Sequence, residues 1–154
     1  MTERCHVCDS EAQMVREPRE VLLGQRAVTV EGEFMRCSGC GETFFLPEQA
    51  DALQRLAADQ VRREDGLLAT GEVKAFRERL RISQAEFEQL LGTGPKTVVR
   101  WERGTVTQSS TADTLMRVLM KHPDALHDLA LERGVRIGTG YFGESVVGSG
   151  PVTP

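Results

Sequence analysis

Apolar positions recur along the chain with two different periods. In the first third they come as short runs of β-branched and aromatic residues. Glu20-Val21-Leu22-Leu23 and Arg26-Ala27-Val28-Thr29-Val30 flank Gly24-Gln25, and Glu33-Phe34-Met35-Arg36 leads into Cys37. Phe44, Phe45 and Leu46 follow a little later. Such runs, broken at glycine, predict a small antiparallel sheet. At Pro47 the period changes. In PEQADALQRLAADQVRRE, Leu53, Leu56, Ala57 and Val61 recur at helical spacing, and proline suits a first helical turn. Leu53 and Leu56 are expected to pack on the sheet. The glycines of Asp65-Gly66 and Thr70-Gly71 then read as a hinge.

Residues 72–133 keep the helical period. Val73, Phe76 and Leu80 share one face. Ser83 and Glu86 form a capping box, and Ile82 with Phe87 forms the matching hydrophobic staple. That helix runs through Leu90 and Leu91 to Gly92. After the turn Gly92-Thr93-Gly94, the pattern predicts a second helix from Pro95 to Arg103, closed by Gly104. Two short helices joined by a glycine turn make a helix-turn-helix. Two further helices are expected, one carrying Leu115, Val118 and Leu119, the other opened by Pro123 and carrying Leu126, Leu129 and Ala130. Residues 134–154 are rich in Gly, Ser, Thr and Pro and read as a flexible tail.

The expected fold class is therefore α+β in two lobes: a β-rich N-terminal domain with a trailing helix over 1–69, then an all-α helix-turn-helix domain over 70–133. Composition agrees with a folded chain, at 40% hydrophobic and 27% charged among 154 residues. No apolar run has the length of a membrane span, and the N-terminus has no apolar secretory segment. A cytoplasmic location is expected. The net charge of −4 is uneven. Residues 1–69 hold 8 basic and 13 acidic side chains, and residues 70–134 hold 10 and 9. The front suits a basic partner; the middle does not repel phosphate.

The cysteines change the picture most. Cys5, Cys8, Cys37 and Cys40 form two C-x-x-C pairs separated by 28 residues. Each pair can give two thiolates to one tetrahedral zinc, and a four-thiolate site is closed and structural. Gly39 and Gly41 provide the backbone freedom that such a turn needs, which the first pair lacks. A disulfide framework fits a reducing compartment poorly. A redox pair of the thioredoxin kind wants a βαβ setting that is absent here. A zinc- or redox-sensing regulator stays open as an alternative, as does His6 as a ligand. A lobe of this size buries little core, so a metal staple is physically expected.

In the second predicted helix Val98 and Trp101 face inward. Lys96 and Arg100 stand four apart and share a side, where long donors can enter a major groove. The string from Ser83-Gln84 through Arg100-Trp101-Glu102-Arg103-Gly104 resembles the helix-turn-helix of lambda-repressor-like (XRE-type) regulators. That resemblance implies Gln84 on backbone phosphate and Lys96, Thr97 and Arg100 toward bases, with Arg103 beside them. Trp101 is expected in the core and Glu102 as a structural partner.

Together, the two C-x-x-C pairs, C-S-G-C-G-E, S-Q-A-E, L-G-T-G, R-W-E-R-G and the L-x-x-H-P string at Leu119 to Pro123 resemble the MqsA family of antitoxins, also described as YgiT-type zinc-finger regulators. The likeness covers roughly residues 1–133. It implies one structural zinc, a toxin (an mRNA-cleaving ribonuclease) bound by the front lobe, operator DNA bound by the rear, and a homodimer through the C-terminal domain. The dimer surface is expected around Leu126 and Leu129. Asn often stands in that family where Lys96 stands here. The alternative is an orphan zinc-finger transcription regulator. No nucleophile–base pair or phosphate loop is present, so no enzymatic activity is expected.

Overall fold

The computed structural model describes residues 2–138. The chain forms two lobes, a small sheet lobe with a helix and an all-α lobe. The sheet has four antiparallel strands in sequential order: β1 (Glu3–Arg4), β2 (Glu11–Leu23), β3 (Arg26–Cys37) and β4 (Thr43–Phe44). The hairpin of β2 and β3 is far longer than the apolar runs suggested. It pairs continuously from Ala12↔Cys37 to Leu23↔Arg26. Charged residues fill the extra length, so hydrophobic patterning alone missed it. The backbone ladder carries a strand through polar residues when one face is covered.

That cover is α1 (Pro47–Asp65). Val21, Val28, Ala57 and Val61 form a small buried core, with Leu23, Val30 and Leu53 packed against it. Gly32 marks the closest approach, because a Cβ there would lie 2.6 Å from Leu53 Cδ1. Leu56, expected in the same contact, is instead 45% exposed. It sits one position off the stripe of Leu53, Ala57 and Val61 that the sheet can reach.

The second lobe contains α2 (Thr70–Arg79), α3 (Gln84–Leu91), α4 (Thr97–Arg103), α5 (Ser110–Lys121) and α6 (Pro123–Arg133). Its core is much larger and includes Val73, Phe76, Leu80, Phe87, Leu90, Val98, Trp101, Met116, Leu119 and Leu126. Phe76 and Phe87 meet edge to face at 5.7 Å between ring centroids. Ser83 caps α3 as expected: its Oγ accepts from Glu86 N at 3.2 Å, and Glu86 Oε2 accepts from Ser83 N at 2.7 Å.

The stretch read as a hinge is bolted down. Gly66 ends α1 in the left-handed region at φ 70°. Leu68 is buried in the helical core, and its N–H donates to Asp113 Oδ1 at 2.8 Å. Arg117 donates to Gly66 O at 3.0 Å. The residues 134–138, read as the start of a tail, also pack. Val135 is buried, Ile137 lies against the core, and Gly138 N donates to Leu80 O at 2.8 Å. The remainder of that segment, 139–154, lies outside the described residues.

Candidate metal centre and nucleic-acid interface

The two cysteine pairs come together as two copies of one turn. In the first, Cys5 N donates to Ser10 O and Asp9 N donates to Cys5 O, both at 2.9 Å. In the second, Cys37 N donates to Glu42 O at 2.8 Å and Gly41 N donates to Cys37 O at 3.1 Å. Each turn needs a positive φ four residues after its first cysteine. Gly41 supplies it at 75° and Asp9 at 60°. Aspartate tolerates that region better than most residues, so the glycine missing from the first turn has a substitute. Gly39 is needed for space, since a Cβ there would stand 2.5 Å from Ser10 Oγ.

The four sulfurs all lie within 4.8 Å of one another. Cys5 and Cys40 are 3.6 Å apart at sulfur, and Cys8 and Cys37 are 3.4 Å apart. These gaps are far longer than a disulfide bond, and all four cysteines are free. A tetrahedral ion with bonds of about 2.3 Å needs sulfur–sulfur edges of about 3.8 Å, so the cluster fits a metal with only slight adjustment. Backbone N–H groups point at the sulfurs, from Val7 to Cys5 at 3.4 Å and from Gly39 to Cys37 at 3.3 Å. Such donors favour the thiolate form that a metal binds.

Hydrogen bonding from Ser10, first by its side chain and then by its backbone, lowers the Cys8 thiol to about 6. At Cys40 the Glu42 backbone pulls the pKa down, but the neighbouring sulfurs of Cys8, Cys37 and Cys5, together with burial, drive it up to about 12. Four close sulfurs cannot all be anions without a cation among them. His6 is elsewhere: its ring meets Phe44 edge on at 5.5 Å.

The helix-turn-helix has one correction. The second helix begins at Thr97 instead of Pro95, and Lys96 is its N-cap at φ 60°. Glycine or asparagine takes that conformation at least cost. The helix start is held by Glu88, a buried glutamate on α3, whose Oε1 accepts from Val98 N at 3.0 Å. Sequence reading missed Glu88, because a charge inside an apolar run reads as a solvent-facing position.

Val98 and Trp101 are buried, as expected. Lys96, Arg100 and Arg103 are exposed, and Thr97 is half-buried. Arg100 Nε donates to the main-chain O of Lys96 at 3.3 Å. Gln84 is tied inward, with Nε2 donating to Glu102 Oε2 at 2.7 Å. Glu102 also takes Arg77 through both oxygens, at 2.6 and 3.0 Å. The structural role expected of Glu102 is therefore visible.

On α6, where a dimer surface was expected, Leu131 is 67% exposed. Leu126 is fully buried in this chain's own core, and Leu129 packs partly against it. On α5, Ser110, Thr111, Thr114, Leu115 and Val118 line an open groove of about 460 Å³.

A family model described as the antitoxin component of a bacterial toxin-antitoxin system, MqsA, matches residues 3–130. That span takes in both cysteine pairs, the whole sheet, the helix-turn-helix and most of α6. The chain belongs to the MqsA antitoxin family. Antitoxin MqsA of Escherichia coli (strain K12) is 25% identical over 130 residues, covering 82% of this chain and 98% of that protein. Antitoxin HigA-2 of Vibrio cholerae serotype O1 is 30% identical over 63 residues, covering 41% of this chain and 61% of that protein. Membership in an antitoxin family makes the chain a non-enzyme. No helix among the described residues is long and apolar enough to cross a membrane.

Proposed function

We propose that this chain is a cytoplasmic antitoxin that also represses transcription. One zinc held by Cys5, Cys8, Cys37 and Cys40 staples the N-terminal domain, which runs from residue 1 to about 69. That domain neutralises a cognate toxin, an mRNA-cleaving ribonuclease. The domain over 70–133 dimerises and binds operator DNA. The observation that carries this reading is the pairing, in one chain, of a four-sulfur cluster with a helix that buries Val98 and Trp101 and exposes Lys96, Arg100 and Arg103.

The sheet offers the toxin a defined face. With α1 on one side of the hairpin, the other side carries Glu20, Glu31 and Glu33 against one cation, Arg16, with Met14 and Leu22 both about two-thirds exposed. Acidic groups around apolar anchors suit a basic partner. On the DNA side, Arg100 takes a base edge and Lys96 a base or a phosphate, with Thr97 and Arg103 beside them. Gln84 sits at the N-terminus of α3, where a phosphate would be held. A homodimer presents two such helices to half-sites about one helical turn, or a multiple of it, apart. The α5 groove and the exposed Leu131 of α6 are apolar surfaces of this domain that could serve it.

Binding to single-base operator variants at fixed salt tests the DNA assignment. Arg100→Ala should lose roughly 1–3 kcal/mol and relax preference at one base pair per half-site. Gln84→Ala should weaken all sequences alike. Unchanged affinity and preference in Arg100→Ala would remove α4 as the reading element. In cells, Arg100→Ala should still neutralise the toxin, whereas Cys37→Ser should not.

A further inference from the structure

We infer that Arg62, a residue of the sheet lobe's helix, is the positioning residue of the recognition helix α4. This rests on the DNA-binding assignment above and adds to it a dependence on the other lobe.

A helix of seven residues does not hold itself in place. Its start is fixed from within its own domain, by Glu88 on the Val98 amide. Its last turn is held from within by Glu102, which accepts from Arg77 and Gln84, while its terminal carbonyls are taken from outside. Arg62 is completely buried, and its guanidinium reaches across from α1. Nη2 donates to Trp101 O at 3.0 Å and to Val106 O at 3.5 Å, carbonyls on either side of Gly104, the left-handed stop of α4. Nε donates to Gln108 Oε1 at 2.7 Å, and Nη1 donates to Thr70 Oγ1.

The backbone of α1 meets the same point. Gln54 Nε2 donates to Gly104 O at 3.2 Å. A Cβ on Gly104 would lie 2.9 Å from Arg55 Cα and 3.1 Å from Gln54 O. Glycine is therefore required there both by conformation, at φ 77°, and by the approach of α1.

The partners of Arg62 are themselves fastened. Asp59 Oδ1 lies 3.5 Å from Nη1 and accepts from both the Thr70 N–H and hydroxyl, at 2.7 and 2.6 Å. Gln108 Nε2 donates to Leu68 O at 2.8 Å and Asp113 Oδ1 at 3.0 Å. Burial pulls the Arg62 pKa down, and the carboxylates of Asp59 and Asp113 push it back. A buried cation with so many aligned acceptors is costly to disturb, because removing it leaves those acceptors unpaired. Its planar fork suits several acceptors at once, which an ammonium does not. Arg100 and Arg103 stand on the turn whose Trp101 carbonyl Arg62 takes, so their aim at DNA is set in part by a side chain outside the helix-turn-helix.

The test uses the full-length, metal-loaded chain with Arg62→Ala and Arg62→Lys. Amide exchange is followed at Gly104 and Thr105, whose N–H groups bond Trp101 O at 3.2 Å and Arg100 O at 3.0 Å. Operator affinity is measured beside it at matched ionic strength, without and with millimolar methylguanidinium. Both variants should exchange faster at the end of α4 while keeping their metal and the slow exchange of the Phe76 and Phe87 region. Operator affinity should fall roughly two- to thirtyfold, and methylguanidinium should restore exchange and affinity in Arg62→Ala. If Arg62→Ala does not fold, Arg62→Lys carries the same test. Unchanged exchange at Gly104 and Thr105, or faster exchange spread evenly over α2–α6 with no rescue, would overturn the inference. Wild-type affinity and exchange in Arg62→Lys would overturn it as well. A wild-type chain with no operator preference would instead defeat the DNA assignment, and the exchange data would still decide what Arg62 holds.

Discussion

The two lobes solve the same problem with different means. The helical lobe has a contiguous apolar core in which Phe76, Phe87, Leu90, Met116 and Leu126 are all fully buried. Burial of apolar surface can hold it, and its polar groups mostly cap or orient. The sheet lobe gathers a smaller cluster, Val21, Val28, Ala57 and Val61, in its helix–sheet contact. Toward the cysteine end Phe34, Met35 and Ala12 are buried as well, and the two turns there are held by backbone hydrogen bonds. Its long hairpin is pinned by ion pairs, Arg36 with Glu17 at 2.6 Å and Arg26 with Glu64 and Asp65. Exposed pairs of this kind contribute little each. On the proposed zinc assignment, the lobe with the smaller core leans on ligation, while the lobe with the larger core depends on packing.

The largest effect should come from taking away the metal. Structural zinc contributes roughly 10–16 kcal/mol to small zinc domains. Cys37→Ser, or chelation of the wild type, should therefore unfold the cysteine end of the sheet and leave the helical signal of α2–α6 in circular dichroism. If metal analysis of fresh protein finds no zinc, or if both lobes melt together on chelation, the contrast between them is wrong.

Next in size is damage to the packed core. Phe76→Ala should cost about 3–5 kcal/mol, read as a lower urea midpoint for the helical lobe, with the metal still bound. A loss below about 1 kcal/mol would mean that the Phe76–Phe87 contact is not the centre of that core.

Smaller still is the cap of α3. Ser83→Ala should cost about 1 kcal/mol, and Ser83→Asn should restore most of it. This sharpens the comparison, because a cap adds a modest amount to a lobe already held by packing. Thermal midpoints of the two variants against wild type would check it.

The smallest expected effect is on the acid side. Burial raises the Asp113 carboxyl, but Arg117, the Leu68 amide and Gln108 lower it further, leaving it below the ordinary aspartate range. A depressed carboxyl contributes stability that is complete above the unfolded value of about 3.9 and lost as pH falls through the lower folded value. Asp113→Asn should therefore flatten the fall in stability of the helical lobe below about pH 4. An unchanged acid slope would show that this carboxylate does not link the segment 65–71 to the helical core.

Much of this protein was legible in the sequence because its signals are local. The two C-x-x-C pairs specify four sulfurs whatever surrounds them, and their union in one cluster followed from their number and type. Ser83, Glu86, Ile82 and Phe87 announced the start of α3, since capping acts within one turn. Gly92 and Gly104 marked helix ends, because each must adopt a left-handed backbone there. The inward faces of Val98 and Trp101 followed from their spacing.

Other features depended on groups brought together from distant parts of the chain. Hydrophobic pattern stopped the strands at their apolar runs, whereas β2 and β3 continue through Arg16, Glu17, Pro18, Glu31 and Gly32 once paired and covered by α1. The start of α4 was set by Glu88, ten residues upstream of the amide that it caps. The buried face of Leu126 was settled by the return of α6 onto the core. Arg62 gave one weak sign, its place four residues after Ala58 on the same helical face. Its partners lie between 3 and 46 positions away. Periodicity states that a residue faces inward; only the folded chain states what it meets there, and for a buried cation the partners decide everything.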